Sequence, residues 1–338
     1  MEIPGGNITA EIWDKSDVVV NAFGIQDKGN SSINFSYFNG VLKVSLNSTV
    51  NKFTHADVRL SIPRNSSLKL STNGGEVTIR GELSGNLNIE TSGGNLRTAN
   101  INGNVSLLTG GGDITVGNTT GELKAVTAGG NIRFGDVGKN VIAQTNGGDI
   151  TGNNLNSTSN LMTWGGNIRI GNSKGLLKIT TSGGDITTGY VSGDCSANTL
   201  GGNIRISGCS GTLNVTSQGG DILVSEVSGS VTATANSGTV RITFKGDSNN
   251  PSVITSNYGD VILYFGNSGK ASVNINVNTG EVNPEFKDYI SSEWGSTTEN
   301  IRGANEKFKR NFTAFYEIGG GGRKVTVNCN LGKVRLKK

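Results

Sequence analysis

The sequence predicts an all-β fold, a single-stranded parallel β-helix whose coils each contain about 18 residues. Three observations predict it: a Gly-Gly pair that recurs at a fixed step, apolar residues that alternate within each repeat, and a composition with 52 Gly but only 4 Pro among 338 residues. Only 33% of the residues are hydrophobic, which is little for a spherical core. A repeat array suits such a chain because each coil buries its small interior against its neighbours.

The second glycine of each Gly-Gly pair, called the corner glycine below, sets the period. After a first step of 19 residues, every step is 18. The corner glycines are Gly75, Gly94, Gly112, Gly130, Gly148, Gly166, Gly184, Gly202 and Gly220. Counted from the corner glycine, apolar residues occupy +2, +4, +11 and +13, and often +7. Spacing by two indicates strands with one face inward, so each coil has two short strands joined by glycine-containing turns. The crossover rule favours a right-handed helix.

Position +15 is nearly always threonine, from Thr72 to Thr199, with Ser217 in the last regular repeat. Its parity with +11 and +13 predicts that it points inward just before the corner. We expect a stacked threonine column whose hydroxyl groups bond to each other and to the backbone of the turn. A row of catalytic hydroxyl groups is disfavoured, because no base accompanies it.

Two versions of the repeat alternate, as in GGDITVG at 111–117 and GGNIRFG at 129–135. Positions +1 and +3 point outward, and equal positions stack in register. Asp on Asp, or Arg on Arg, would repel, so the alternation predicts an exposed charge ladder in which Asp and Arg are diagonal neighbours. This ladder is the candidate site, with a structural role first. Its members are Arg97, Arg133, Arg169, Arg205, Arg241, Asp113, Asp149, Asp185 and Asp221.

The two ends of the chain are less regular than the middle. Residues 1–62 contain alternating strands without the glycine period and are predicted to form the first coils and a cap. Residues 63–282 are predicted to form the regular coils. Residues 283–338 are interpreted as an insertion over the end of the helix, up to about residue 320, followed by a closing coil. The three segments are predicted to form one continuous domain.

The phrase ADVRLSIPRNSSLKLSTNGGEVTIRGELSGNLNIETSGGNLR at 56–97 and the final GGGGRKVTVNCNLGKVRLKK carry a family resemblance. With the 18-residue period, they resemble the adhesin-like family of bacterial and archaeal single-stranded β-helix domains, a family of unknown function. The resemblance covers roughly residues 50–338. It implies an extracellular or cell-envelope location and a non-enzymatic role, and it offers no established site residues.

Several alternative chemistries are disfavoured. Calcium-binding nonapeptide rolls place a carboxylate after Gly-Gly-x-Gly-x, whereas here Asp or Asn follows Gly-Gly directly. Polysaccharide-cleaving β-helices need clustered acids, but the acids here form a paired ladder, and His55 is the only histidine. The aromatic residues that could bind sugars, such as Trp164, Tyr190 and Tyr258, are scattered. We therefore predict no catalytic residue, no metal and no cofactor.

The remaining features limit the partners. The net charge of +4 with intermixed signs indicates no nucleic-acid partner, and no apolar segment is long enough for a membrane span. The start has no hydrophobic signal core, so it fits either the mature part of an exported protein or a natural cytosolic start. Cys195 and Cys209 are both predicted inward as free thiols. The favoured function is a non-catalytic surface or secreted solenoid with an unidentified glycan or protein ligand. The alternatives are a glycan-binding or glycan-cleaving β-helix and an envelope protein that self-associates through its helix ends.

Overall fold

The structure is a computed structural model that describes residues 1–24, 31–48, 56–266, 269–284, 290–299 and 309–338. These residues form strands and contain no helix, which confirms the predicted all-β parallel solenoid. No helix that could cross a membrane is therefore found among them. His55 lies outside the described residues. The chain divides into two compact units, residues 1–163 and 164–338, which we describe one at a time.

The described residues of the first unit form nineteen strands. They are β1 (Glu2–Ile3), β2 (Ile8–Trp13), β3 (Val19–Phe23), β4 (Ser31–Phe38), β5 (Val41–Ser48), β6 (Asp57–Pro63), β7 (Leu68–Thr72), β8 (Val77–Arg80), β9 (Leu83–Ser84), β10 (Leu87–Thr91), β11 (Leu96–Thr98), β12 (Ile101–Asn102), β13 (Val105–Thr109), β14 (Ile114–Val116), β15 (Leu123–Thr127), β16 (Ile132–Phe134), β17 (Val141–Gln144), β18 (Ile150–Gly152) and β19 (Ser159–Met162).

The described residues of the second unit form the other fifteen strands. They are β20 (Ile168–Ile170), β21 (Leu177–Thr181), β22 (Ile186–Val191), β23 (Cys195–Thr199), β24 (Ile204–Cys209), β25 (Leu213–Ser217), β26 (Ile222–Val227), β27 (Val231–Ser237), β28 (Val240–Phe244), β29 (Ser252–Tyr258), β30 (Val261–Tyr264), β31 (Ala271–Pro284), β32 (Ile290–Glu299), β33 (Lys309–Ile318) and β34 (Arg323–Lys337).

Strands of successive coils pair in parallel with a register of one repeat. In the first unit β14 and β16 place Ile114 opposite Ile132, and in the second unit β24 and β26 place Ile204 opposite Ile222. Residues at +2, +4, +11 and +13 are buried along both units, and Ile132 is fully buried. The period and the inward parity read from the sequence are thus confirmed. The interior of each coil consists of single layers of aliphatic side chains stacked on the next coil.

The corner glycines are required because successive corners approach closely. A Cβ atom added to Gly112 would lie 2.2 Å from the carbonyl oxygen of Gly94, and one added to Gly130 would lie 2.2 Å from that of Gly112. Real Cβ atoms do not come so close to a carbonyl oxygen. The backbone at these two corners is not in the left-handed region, so close approach is the reason for glycine there rather than an unusual φ angle.

The threonine column holds each corner through the backbone. The Thr127 hydroxyl donates to the carbonyl oxygen of Gly112 at 2.8 Å and accepts from the N–H of Gly130 at 3.3 Å. The same two bonds recur at Thr109, Thr145, Thr181, Thr199 and Ser217. The expected bonds to the turn backbone are therefore confirmed. In each of these bonds the partner of the hydroxyl is the backbone, and not the hydroxyl of the next coil as was also expected.

At the N-terminal end of the first unit, stacking order differs from chain order. β2 lies between two strands that come later in the chain, because Ile8 is opposite Val77 of β8 on one side and Val58 of β6 on the other. β6 in turn pairs with β3, which is antiparallel to it. β2, although it is one of the first strands of the chain, is thus enclosed within the stack. β6 and, outside it, β3 cover β2 on one side.

At the C-terminal end of the second unit, stacking order also differs from chain order. β34 pairs in parallel with β29 and β30 on one side and with β31 on the other, so that Val325 lies between Ser252 and Val273. The chain order would have placed β31 directly on the preceding coil. Residues 283–320, interpreted from the sequence as an insertion, contain β32 and β33, and β33 is antiparallel to both β31 and β32. Antiparallel strands therefore cover the outer side of β31.

A buried arginine fixes β34 in this position. Arg323 is 1% exposed, and its guanidinium donates to the carbonyl oxygens of Gly229, Ser228 and Asn250. The guanidinium also lies 4.7 Å from the ring centre of Phe244. Burial lowers the pKa of Arg323. Strand parity with the buried Val325 and Val327 places Arg323 inward and Lys324 outward. The sequence analysis did not single out Arg323, because the partners of its guanidinium are far away in the chain.

Candidate functional site

Position +1 forms a ladder of hydrogen bonds in the first unit, which we call the corner ladder. It contains Asn95, Asp113, Asn131 and Asp149. In each step the side-chain oxygen of one coil accepts the backbone N–H of the next coil, at 2.8 Å from Asp113 N to Asn95 and at 2.7 Å from Asn131 N to Asp113. The amide of Asn131 also donates to the Asp113 carboxylate at 3.2 Å. The half-buried acids of the predicted charge ladder therefore close the corner between coils.

The second unit repeats the arrangement with Asn167, Asp185, Asn203 and Asp221. The backbone N–H of Asn203 donates to Asp185 at 2.7 Å, and the Asn203 amide donates to the same oxygen at 3.2 Å. Asp221 in turn accepts the N–H of Thr239 at 2.7 Å. Asn is compatible with the ladder because it can accept the backbone bond and also donate to a carboxylate. The alternation of Asn and Asp thus gives each acid an amide neighbour.

The structure places the predicted arginines on an exposed column beside the corner ladder. In the first unit the strand register makes Thr115 separate Arg97 from Arg133. In the second unit Arg169, Arg205 and Arg241 alternate with Thr187 and Leu223. Arginines of one unit are therefore two coils apart, about 9–10 Å at the usual strand spacing.

Ion pairs join some of these arginines to the acid one coil earlier. Arg205 lies 3.6 Å from Asp185, and Arg97 lies 3.6 Å from Glu76, which occupies the +1 position of its coil. Among the residues that the structure describes, Arg133 and Arg241 have no acid within 4 Å. Exposed pairs of this kind contribute only about 0–1 kcal/mol. The aspartates at +1 therefore act chiefly through their hydrogen bonds to the backbone.

Two more ladders occupy the other corners, and the sequence analysis missed them. At +6 the side-chain oxygen of Asn100 accepts the N–H of Asn118, which accepts that of Asp136. At +10, Asn104 accepts the N–H of Glu122 at 3.0 Å. The available signal was the recurrence of Asn or Asp at these two positions with the same period of 18. Such residues are otherwise common in exposed turns.

An open groove runs along the first unit beside the +10 ladder. Its floor is the +12 row, in which the strand register places Lys69, Asn88, Ser106 and Lys124 in consecutive coils. Its wall is the +10 ladder, which consists of Asn86, Asn104, Glu122 and Asn140. The polar side chains of the floor therefore repeat at the strand spacing of about 4.8 Å.

The groove is rich in hydrogen-bond donors that the protein does not use. The Asn86 and Asn104 side-chain oxygens are engaged by the next coil. Among the described residues, nothing accepts from the Nδ2 groups of these two, and the side chains of Asn88 and Lys124 make no hydrogen bond. Glu122 is the one carboxylate in the lining, and it accepts from the amide of Asn140 at 3.2 Å. The groove thus offers amide, hydroxyl and ammonium donors in a row.

The other sequence-selected residues do not gather into a site. Cys195, Cys209 and Cys329 are buried free thiols, as predicted for the first two. Burial raises the pKa of Cys195 to about 12, and burial raises that of Cys209 to about 11, so neither is a ready nucleophile. Trp164 is exposed at a corner. Within the described residues, no three His, Cys, Asp or Glu side chains are grouped as a metal site would require.

These features define the class of protein: a parallel β-solenoid whose corners are closed by threonine, asparagine and aspartate ladders. Its family follows from a comparison with known families. The family model described as Toastrack DUF4097 matches residues 139–315, and the chain belongs to this family, a domain family of unknown function. No curated protein and no solved structure matches the chain.

Proposed function

We propose that this protein is a non-catalytic, adhesin-type solenoid, secreted or held at the cell surface, that binds an extended glycan along the groove of the first unit. The observation that carries the proposal is the row of unused donors on consecutive coils, from Lys69 to Lys124. The row spans three strand spacings, about 14 Å. Because these side chains project from paired strands, their spacing is fixed before the ligand arrives, which reduces the entropy lost on binding.

The chemistry of the groove favours a ligand rich in acceptors. Amide, hydroxyl and ammonium groups donate to sugar hydroxyl, ring and carboxylate oxygens. Two lysines and one glutamate leave only a small positive charge, so the groove lacks the dense cationic lining that polyphosphate binding would need. A glycan with occasional carboxylates matches this pattern better than a nucleic acid.

The hydrogen bonds of the aspartates at +1 favour a structural role for these acids over a catalytic one. Asp113 and Asp185 each accept two hydrogen bonds from the next coil through one oxygen, which holds the carboxylate against the backbone. A general acid or base needs a proton-accepting oxygen aimed at a substrate. The ladder uses one oxygen of each carboxylate for the fold, and the other oxygen of Asp185 lies 3.6 Å from Arg205.

A glycan array tests the proposal with a pair of matched variants. Asn88→Ala/Lys124→Ala removes an amide and an ammonium from the groove floor. Asn214→Ala/Lys178→Ala removes the same groups from the same +12 row in the second unit, outside this groove. We expect the unmodified protein to bind linear glycans, the groove variant to lose at least about tenfold in affinity, which corresponds to about 1.4 kcal/mol, and the control to bind normally. Absence of glycan binding by the unmodified protein, or equal losses in both variants, would contradict the proposal.

A further inference from the structure

The hairpin made by β4 and β5 ends in an apolar tip with both faces exposed. Asn39 and Gly40 form its turn with φ angles of 50° and 78°, the conformation of a tight two-residue hairpin loop. Around the turn lie the tip residues Phe35, Tyr37, Phe38, Val41 and Leu42, which are 58%, 74%, 76%, 64% and 37% exposed. Large apolar side chains cluster here rather than being scattered singly.

The register shows that the tip is apolar on both sides. Tyr37 pairs with Leu42 on one face, and Phe38 pairs with Val41 on the other. Nearer the base of the hairpin, Val44 and Leu46 are buried and anchor it to the rest of the unit. The apolar tip is therefore not the edge of the core. It extends beyond the part of the hairpin that the core covers.

The size of the tip helps to identify what covers it. Its five side chains expose roughly 500 Å² of apolar surface, as large as the functional patches on monomeric proteins. A stable protein interface buries about 800 Å² on each partner. The tip is too small for that, and a flat protein surface would cover only one of its faces. A lipid bilayer surrounds an inserted tip on all sides.

The charge of the hairpin also suits a bilayer. Residues 31–48 contain Lys43 and no Asp or Glu. β1 pairs with both β5 and β7, opposite Ser45 and Ser71, which places Lys43 and Lys69 on the same outward face with Glu2 between them. Among the described residues, the ammonium groups of Lys43, Lys69 and the N-terminal Met1 thus lie close together beside the tip, with the Glu2 carboxylate. Aromatic rings at the interface with a few cations behind them are typical of peripheral attachment to anionic membranes.

We infer that the Phe35–Leu42 hairpin tip inserts into the interface of an anionic lipid bilayer and attaches the first unit to a membrane surface. Tyr37 and Phe38 enter the acyl boundary, and Lys43 remains at the level of the headgroups. The five tip residues do not line the groove, and Lys69 is the one residue that both sites use. The vesicle test changes tip residues only, so its outcome does not depend on glycan binding.

Cosedimentation of the full chain with vesicles tests this inference. The vesicles are made either of phosphatidylcholine alone or of equal parts of phosphatidylcholine and phosphatidylglycerol. Tyr37→Ser/Phe38→Ser removes the two most exposed aromatic side chains of the tip, and Trp164→Ser removes an exposed aromatic residue outside the tip as the control. We expect the unmodified protein and Trp164→Ser to bind the mixed vesicles, and the tip variant to bind at least about tenfold more weakly.

Three outcomes would overturn the inference. The first is no binding of the unmodified protein to mixed vesicles, and the second is an equal loss in Trp164→Ser. The third is a dimer of the unmodified protein in sedimentation that the tip variant abolishes, because the tip would then be covered by a second copy. Because Tyr37 and Phe38 lie outside the core, a melting curve unchanged by their replacement is expected to accompany the loss of binding.

Discussion

The carboxylate of Asp113 accepts two hydrogen bonds from Asn131, one from the backbone N–H at 2.7 Å and one from the side-chain amide at 3.2 Å. Asn131 in turn accepts the N–H of Asp149 at 2.9 Å. One residue pair thus explains why the two versions of the repeat alternate. Asn serves as donor to the acid before it and as acceptor for the residue after it, while Asp can only accept.

Gly112→Ala is expected to destabilise the protein by about 3 kcal/mol or more, because the new Cβ would meet the carbonyl oxygen of Gly94 at 2.2 Å. Its neighbour Gly111 provides the matched control, since a Cβ there meets no atom within 4 Å. Gly111→Ala should leave the free energy of unfolding unchanged or slightly higher. Urea unfolding of both variants measures the difference. Similar losses in the two would show that close approach is not the reason for the corner glycine.

Thr127→Val should lower the free energy of unfolding by about 1–3 kcal/mol, because the carbonyl of Gly112 and the N–H of Gly130 would lose their partner. For Thr119 we predict the opposite effect. It is buried between Ile101 and Val137, and its hydroxyl has no partner in the described residues. Thr119→Val should therefore be neutral or stabilising, and thermal melts of both variants measure the difference. If Thr119→Val were the more harmful change, the backbone role of the threonine column would be wrong.

Arg323→Met should lower the free energy of unfolding by about 3 kcal/mol, since it leaves the carbonyl oxygens of Gly229, Ser228 and Asn250 without their donor. Lys324→Met, one residue along and exposed, is expected to change it by less than about 0.5 kcal/mol. Hydrogen exchange can locate the effect. We expect faster exchange in β34 and β31 of the Arg323 variant. Uniform exchange across the second unit would mean that Arg323 does not specifically hold this end.

Asp185→Asn/Asp221→Asn is expected to create salt-sensitive heparin binding, because it removes the two acids that lie between Arg169, Arg205 and Arg241, which are about 9–10 Å apart. The fold should persist, since Asn can accept the same backbone bonds. Asp194→Asn/Glu226→Gln removes the same charge away from this column and is the control. The unmodified protein should bind heparin only weakly. Tight binding by it that is lost in Arg205→Gln/Arg241→Gln would make the arginine column a binding site rather than part of the scaffold.

The regular part of the fold could be predicted from the sequence because the 18-residue period determines which residues stack and which side chains point inward. Once Gly112 and Gly130 are equivalent, strand parity buries Ile114 and Ile132 and points Thr127 inward. The corner ladders were less accessible. An Asn or Asp at +6, such as Asn118, has the same local sequence whether its oxygen faces solvent or the backbone of the next coil, and only the register between coils decides.

The two ends could not be predicted for a different reason. β2 lies between β6 and β8, and β34 lies between β30 and β31, so stacking order differs from chain order at both places. No local sequence feature indicates this. Val325 and Val273 both have the inward parity of a coil, so periodicity alone does not say which lies deeper. The long-range contacts of Arg323 decide it in the second unit.

The corner ladder is tested most directly by Asn131→Asp, with Asp113→Asn as its matched control. The first change places three carboxylates in consecutive coils at about 4.8 Å and removes the amide that donates to Asp113. The second keeps an acceptor at every step. We expect Asn131→Asp to lower the free energy of unfolding by about 1–3 kcal/mol at neutral pH, and Asp113→Asn to change it by less than about 0.5 kcal/mol.

The decisive measurement is the stability difference between Asn131→Asp and the unmodified protein as a function of pH. The three carboxylates repel one another only while they are ionised, so protonation relieves the repulsion in the folded variant. The difference should therefore be largest near neutral pH and shrink as the pH falls below about 4, where the carboxylates are protonated. Added salt should reduce it as well. A variant as stable as the unmodified protein at neutral pH, or a loss that is independent of pH and salt, would contradict the ladder as the reason for the alternating repeat.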